Sequence, residues 1–336
     1  MRIRIAVDIM SGDNSPEVVI EGALQAARDF DIEIILVGDK KYESLIPADA
    51  VGGSVRFVES KSVVLMTDSP TSVMNEKADS SMAIATLLLK NGEADVLVSS
   101  GNTGALFTAA SLQIRRIKGV RRAALGTVIK LENPFIMLDV GANTDATPEI
   151  LALFAKMGSL YAKDVLGIEN PRVALLNNGS EHTKGTELYV ETHKLLQADQ
   201  SINFIGNCEG RDLPTNFCDV VVCDGFTGNI ALKLMEGMGA FMTRKIREIF
   251  SYSPVAKLAG LITLKYTRAL KKQLDYKEYG GAPFLGIAKP VIKAHGSSDA
   301  KGIYSAIRQA KLFYASGVND KMAAEIEKMK KVTENA

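Results

Sequence analysis

Nine short runs rich in β-branched and apolar residues, at 3–7, 33–37, 54–58, 96–99, 123–129, 135–140, 172–176, 203–205 and 219–223, constrain this chain more than any other feature. Longer helix-like segments separate most of them, and that alternation predicts an α/β protein with a largely parallel sheet and helices on both faces. Helix starts are well marked. Ser15, Pro16 and Glu17 supply a cap, a proline at the first helical position and an early acid ahead of the apolar spacing Val18, Val19, Ala23 and Leu24. Residues 145–148 before Glu149 read the same way. No linker rich in Pro, Ser or Gly divides the 336 residues, so they are expected to form one α/β unit over 1–336, in one body or two lobes.

Composition narrows the function. Forty basic against thirty-nine acidic residues leave a net charge of +1, which argues against a protein-wide basic surface that tracks nucleic acid. Cys208, Cys218 and Cys223 cannot all pair and show no CxxC spacing, so buried thiols in a reducing cytosol are expected. Arg2 and Arg4 interrupt the first apolar run, which argues against a signal peptide, and no apolar stretch nears the roughly 20 residues of a membrane span. HExxH is absent, and neither a metal nor a cofactor is expected.

Polar, glycine-bearing loops follow the strands at 8–13, 99–104, 139–143, 177–185, 206–212 and 224–229, where ligands bind in open parallel sheets. Two share a GxTG core, Gly101 to Gly104 and Gly225 to Gly228, each opening a helix. Close backbone approach, a hydroxyl and a helix terminus together suit phosphate, while an ordinary βα turn uses the same residue types for conformational reasons. Neither loop is a P-loop or GxGxxG. Among the histidines, His193 lies in an amphipathic helix, whereas His182 and His295 sit in loops, His295 after an apolar run at 290–294. Lys184, between glycines 179 and 185, can reach an anion held by neighbouring loops or stand as a solvated lysine. Cys223, at a strand end, reads as a buried structural thiol rather than a nucleophile.

Taken in order, AVDIMSGD, SSGNTGAL, DVGAN, GIENPRVALLN, INFIGN, CEGRD, VVVCDGFTGNIALK, EYGGAPFLG and IKAHGSS resemble the phosphate acyltransferase family of bacterial phospholipid synthesis over residues 3–316. The resemblance implies a fold like that of phosphotransacetylase and the isocitrate/isopropylmalate dehydrogenases. It also implies a cytoplasmic homodimer, peripheral to the inner face of the membrane, that makes acyl phosphate from acyl-acyl-carrier-protein and orthophosphate for glycerol-3-phosphate acylation. Its partners would be acyl carrier protein, an anionic membrane surface and the downstream membrane acyltransferase. Alternatives are a coenzyme A-dependent phosphotransacylase and a non-enzymatic scaffold at the membrane. The chain departs from the family at Ser11, usually Gly, at Ser100, usually Ala, and at Ala123, usually Pro.

With that chemistry, no covalent acyl-enzyme is required, because phosphate is itself a nucleophile. The expected catalytic set is Lys184, Asn229, His295 and Asp224, with Lys184 supplying charge and His295 protonating the leaving thiol. The expected substrate- and phosphate-binding set is Asp8, Gly12, Asp13, Gly101, Asn102, Thr103, Gly104, Asn143, Gly185, Gly225, Thr227 and Gly228. Within these sets Asp8, Asp13 and Asp224 are loop organisers or thiol-proton handlers, since a bare carboxylate repels a dianion.

Residues 251–275 form an expected basic, amphipathic helical insertion starting at Ser253 and Pro254, as one helix or as two broken near Gly260. Val255, Leu258, Ala259, Ile262, Tyr266, Ala269 and Leu270 share one stripe, expected to pack on the body or on a partner subunit. Leu261 and Leu264 fall among Lys257, Lys265, Arg268, Lys271 and Lys272, where they can enter a lipid interface beside anionic headgroups or remain on a solvated face.

Overall fold

In the computed structural model, which describes residues 2–48, 50, 53–274 and 280–334, eleven strands form one continuous sheet. They are β1 (Ile3–Asp8), β2 (Ile32–Gly38), β3 (Val55–Glu59), β4 (Val96–Ser99), β5 (Ala124–Lys130), β6 (Pro134–Leu138), β7 (Arg172–Asn177), β8 (Asn203–Glu209), β9 (Val220–Val222), β10 (Ala282–Leu285) and β11 (Val291–Lys293). Their order is β3-β2-β1-β4-β11-β10-β5-β6-β9-β7-β8. All nine expected runs are strands. The tenth, β10, lies where the sequence reads as turns. Pro283 donates no main-chain hydrogen bond, and β10 is defined by its antiparallel neighbours, pairing Ala282 and Pro283 with β11 and Phe284 and Leu285 with β5.

Those antiparallel contacts, with β5 against β6, reverse strand direction in the middle of the sheet; every other pairing is parallel. Strands β6, β7, β8 and β9 therefore run opposite to β1, β2, β3, β4 and β11. The carboxyl ends of the two groups approach the centre from opposite directions, a switch point of the kind at which open sheets bind ligands.

Alternate residues feed two apolar layers. Ile5, Val7, Val98 and Ile292 pack with α1 (Pro16–Asp29), α4 (Pro148–Asp164), α9 (Ala300–Ala315) and α10 (Val318–Glu334). Ala6, Leu97, Met137 and Val291 pack with α2 (Ser81–Asn91) and α3 (Thr103–Ala109) and, at its edge, Leu232 and Met235 of α6 (Gly225–Ser251). Phe154 and Tyr161 of α4 are fully buried, and truncating Phe154 to alanine is expected to cost about 3–5 kcal/mol. Both marked helix starts form, but the side chain of neither Ser15 nor Thr147 bonds a main-chain amide of its helix; the Thr147 hydroxyl donates to Glu149 at 2.6 Å instead.

After α6 come α7 (Pro254–Ile262), capped by Ser253 Oγ accepting from the Ala256 amide at 3.1 Å, and α8 (Leu264–Leu274). The break falls at Thr263, not at Gly260, because Gly260 is used for packing: a Cβ there would sit 3.1 Å from Phe250 of α6. The expected apolar stripe does not pack on the body. Val255 is 78% and Ile262 73% exposed, and α7 meets α6 at Gly260, which lies against Phe250. Residue 275 and the side chains of Lys271 and Lys272 lie outside the described residues.

Candidate functional site

Three side chains on one face lie in lateral register at the ends of β1, β4 and β11, where Ser99 is opposite both Asp8 and Lys293. Asp8 is 1% exposed and saturated with donors: Ser99 Oγ at 2.7 Å, Ser81 Oγ at 2.6 Å and the amides of Met10 and Ser11, both at 3.3 Å. It organises the 8–13 loop, leaving little capacity for a ligand. Lys293 is 7% exposed, and its ammonium donates to the carbonyls of Ser100 and Ala294. Burial pulls its pKa down to about 8, against the attraction of Asp13 and Asp8.

Gly12 adopts a left-handed φ of +118°, and a Cβ there would lie 2.6 Å from Ser100 Oγ. Asp13, exposed, hydrogen-bonds through its amide to Gly296 in the loop after β11. Gly101 packs over Ser11 and Met82, and Gly104 over Pro70. Asn102 caps α3 through Oδ1, accepting from the Ala105 amide at 3.1 Å, while Nδ2 donates to the carbonyls of Met66 and Asp68, both at 3.1 Å. Its side chain therefore ties α3 to the 65–68 loop.

A second group gathers at the ends of β6 and β9. Buried Asp139 accepts from the amides of Leu125, Gly141, Ala142 and Asn143 and from Asn143 Nδ2; burial nevertheless holds its pKa up. Asn143 also donates to the Ala123 carbonyl at 2.7 Å. Asp224 caps α6, accepting from the amides of Phe226 and Thr227, from Thr227 Oγ1 and from the hydroxyl of Tyr189 in α5 (Glu187–Ala198). Burial would raise the Asp224 pKa, but these hydrogen bonds, led by Tyr189 and Thr227, hold it below the usual carboxylate range. Gly225 and Gly228 let α6 lie on the 139–143 loop; any Cβ on Gly228 would collide with the Asp139 carbonyl. Asn229 Nδ2 donates to the Val140 carbonyl at 3.0 Å.

Lys184 stands exposed on the loop after β7. Asn177 Nδ2 holds its carbonyl at 3.0 Å, and Asn207 fastens the same loop, donating to the Glu181 carbonyl at 2.8 Å while its Oδ1 meets His193 Nδ1 at 2.9 Å. Gly185 (φ +93°) packs against Asn177 and Tyr189, whose hydroxyl donates to Asp224.

Between the two groups opens a cleft of about 1070 Å³. Of the expected site residues, Asp13, Thr103, Asn229 and His295 line it; Lys184, Asp224, Thr227, Asn143 and Asp8 do not. The sequence reading missed six of its charged wall groups, Lys293, Lys233, Glu236, Lys130, Glu132 and Arg308. Lys293 left a usable signal, being the one charge in the apolar run at 290–294. His295 Nδ1 lies 2.9 Å from Ser297 Oγ and Nε2 lies 3.5 Å from Lys233 Nζ, and Lys233 pairs with Glu236 at 2.7 Å. Burial foremost, with Lys233 and Lys293 beside it, pulls the His295 pKa below its ordinary value despite Glu236. The cleft thus has one end where Lys293, Lys233, Asp13 and Glu236 gather round a half-buried imidazole, and walls beyond it that mix apolar side chains with Lys130, Glu132 and Arg308. Such an arrangement can seat an anion beside an apolar group.

The fatty acid synthesis protein family matches residues 3–321. A phosphate acyltransferase of Desulfitobacterium hafniense is 46% identical over 327 residues, 96% of this chain and 97% of that protein. One from Clostridium perfringens is 44% identical over 330 residues, 97% of each chain. Among solved structures, a phosphotransacetylase from Streptococcus pyogenes superposes with a TM-score of 0.63 at 16% identity, covering 94% of both chains, a likeness of fold.

Proposed function

The chain belongs to the fatty acid synthesis protein family and is an acyltransferase acting on phosphate; from that premise we propose that it converts acyl-acyl-carrier-protein and orthophosphate into acyl phosphate. The observation that carries this reading is the cleft itself, where Lys293, Lys233 and His295 cluster at one end of a passage lined beyond them by apolar and charged side chains. A phosphate oxygen attacks the thioester carbonyl, a carbon–oxygen bond forms, the carbon–sulfur bond breaks and the thiolate leaves with a proton. Preorganised donors stabilise the oxyanion that develops.

In this reading Lys293 and Lys233 hold the hydrogen phosphate dianion, and His295, kept neutral by its lowered pKa, takes the proton of the attacking phosphate and delivers it to the leaving thiolate. Asn229, on the cleft wall, steadies the carbonyl oxygen, and Thr103 orients phosphate. Lys184, on its fastened loop outside the cleft, adds charge. Asp224, Asn143, Asp8 and the loop glycines shape the walls, and Asp13 steers the 294–298 loop. The product feeds glycerol-3-phosphate acylation by a membrane acyltransferase. Among the described residues no helix is long and apolar enough to cross a membrane. The reading has a cytoplasmic homodimer meeting the anionic inner surface of the membrane through Leu261, Leu264, Lys257, Lys265 and Arg268, and the exposure of these leucines supports it.

The test measures phosphate-dependent acyl-phosphate formation with acyl-carrier-protein and coenzyme A thioesters, in wild type and in Lys184→Ala and Asn229→Ala. Each variant is expected to lose about 100-fold or more in kcat/KM while keeping its fold. Preference for coenzyme A replaces the carrier-protein donor with the alternative phosphotransacylase. Wild-type turnover in both variants removes these two residues from the mechanism.

A further inference from the structure

Between Asp95 and Glu132 the sequence holds no acid, and within that span residues 115–122 read RRIKGVRR, five cations in eight positions of a chain whose net charge is only +1. Every third residue is an anchor. Ile114, Ile117, Val120 and Ala123 are buried, while Arg115, Arg116, Lys118, Arg121 and Arg122 between them are all exposed. The spacing turns the apolar side chains into the core and leaves the basic ones in solvent.

Main-chain hydrogen bonds hold this stretch in place. The Arg115 amide donates to the Ala110 carbonyl at 3.0 Å, its carbonyl accepts from the Ala288 amide at 2.9 Å, and the Ile117 amide donates to the Gly286 carbonyl at 2.9 Å, which fastens the segment to the turn between β10 and β11. Arg115 holds φ +74°, backbone that a residue with a Cβ adopts only where its surroundings impose it. Arg116 donates to the Arg121 carbonyl and draws the two ends of the stretch together. Among the described residues, acids meet it at one edge: Asp145 lies 4.0 Å from Arg122, and Glu149, held by Thr147, feels the charge of Arg121.

The stretch adjoins the cleft without lining it. Leu125, a wall residue, follows Arg122 by three positions, roughly 10 Å of extended chain. From Thr103, also on the wall, the helical run to Ile114 covers roughly 16 Å at about 1.5 Å per residue. A thioester delivered on a flexible prosthetic arm requires its protein to dock at a distance from the reacting groups rather than upon them.

We propose that residues 115–122 form the docking surface for an acidic face of the carrier protein that delivers the acyl group. This rests on the acyl-transfer reading above and names where the protein part of the donor sits. Complementary charge of this kind speeds encounter, fixes orientation and weakens with salt. Lipid is the poorer occupant, because the stretch spends its apolar side chains on the core and has none to insert.

The experiment compares hexadecanoyl thioesters of carrier protein, coenzyme A and pantetheine, the last carrying the arm without the protein. In Lys118→Glu with Arg121→Glu, KM for the carrier-protein thioester is expected to rise about tenfold or more with kcat little changed, and the two smaller donors to be used as by wild type. Binding of the unacylated carrier protein, followed by fluorescence anisotropy, is expected to weaken by a similar factor and to depend less on salt than in wild type. Circular dichroism establishes folding, and Arg121→Gln carries the test if the double variant does not fold. Unchanged KM and affinity for the carrier, equal loss with all three donors, loss confined to coenzyme A, or lost binding to anionic vesicles with carrier affinity intact each overturn the docking surface. Carrier binding that the variant weakens, without acyl phosphate from any donor in wild type, overturns the acyl-transfer reading instead.

Discussion

Ser100 donates its hydroxyl to the main-chain carbonyl of Ser11 across 2.6 Å, which ties the loop after β4 to the loop after β1. Both side chains are buried, and Gly12 passes between them with no room for a Cβ. Ser100 supplies a donor to a main-chain carbonyl that alanine would leave buried and unpaired. Ser100→Ala is expected to destabilise the chain by about 1–2 kcal/mol. A denaturation midpoint equal to wild type would dissolve the pairing.

The buried Lys293 ammonium predicts opposite pH trends for stability and rate. Its folded pKa of about 8 lies below the ordinary 10.5. Between those values the unfolded chain binds a proton that the folded chain does not, so this group makes stability rise with pH across that window. The charge that holds phosphate disappears over the same window. The rate should fall as pH passes about 8, and Lys293→Met should be about 100-fold slower with that limb of the profile gone. A rate in Lys293→Met that retains the wild-type alkaline limb assigns the titration to another group.

The three thiols are buried and poorly suited to attack. A hydrogen bond with Cys218 and then burial push the Cys208 thiol up, and burial does the same for Cys223, which donates to the Asp139 carbonyl at 3.5 Å. Single alanine replacements of Cys208, Cys218 and Cys223 should retain turnover and lose about 1 kcal/mol of stability each. Mass spectrometry of the protein quenched during turnover checks this: a labelled acyl group on any thiol would contradict direct attack by phosphate.

On α7 and α8, Leu261 is 69% and Leu264 37% exposed, near Lys257, Lys265 and Arg268. Replacing both leucines by glutamate should reduce sedimentation with anionic vesicles at least tenfold, through lost apolar insertion and added repulsion, while turnover in detergent-free buffer stays close to wild type. Vesicle binding at the wild-type level would return these helices to a purely structural role.

Much of this was legible along the chain because the relevant physics is local. Short apolar, β-branched runs named nine strands, and polar loops after β1, β4, β6 and β9 named the edges where chemistry gathers. Particular site residues were less legible. Asp8 and Asn102 look like ligands in a one-dimensional reading, yet Asp8 is filled by Ser99 and Ser81, and Asn102 by the 65–68 loop. Those donors come from segments that sequence spacing does not connect.

The sequence by itself determined the α/β class, the strand positions, the family likeness and the buried thiols, since each follows from residue type and short-range periodicity. Only the tertiary structure decided that β10 is a strand, that the sheet reverses beside it, that Gly260 rather than the apolar stripe of α7 seats on α6, and that Lys293 lies buried at the cleft. Each of these depends on partners distant along the chain, as when Ala282 meets Lys293 and Phe284 meets Leu125. Such pairings form when the whole core closes, because the free energy of burying one segment is defined only by what the others present to it.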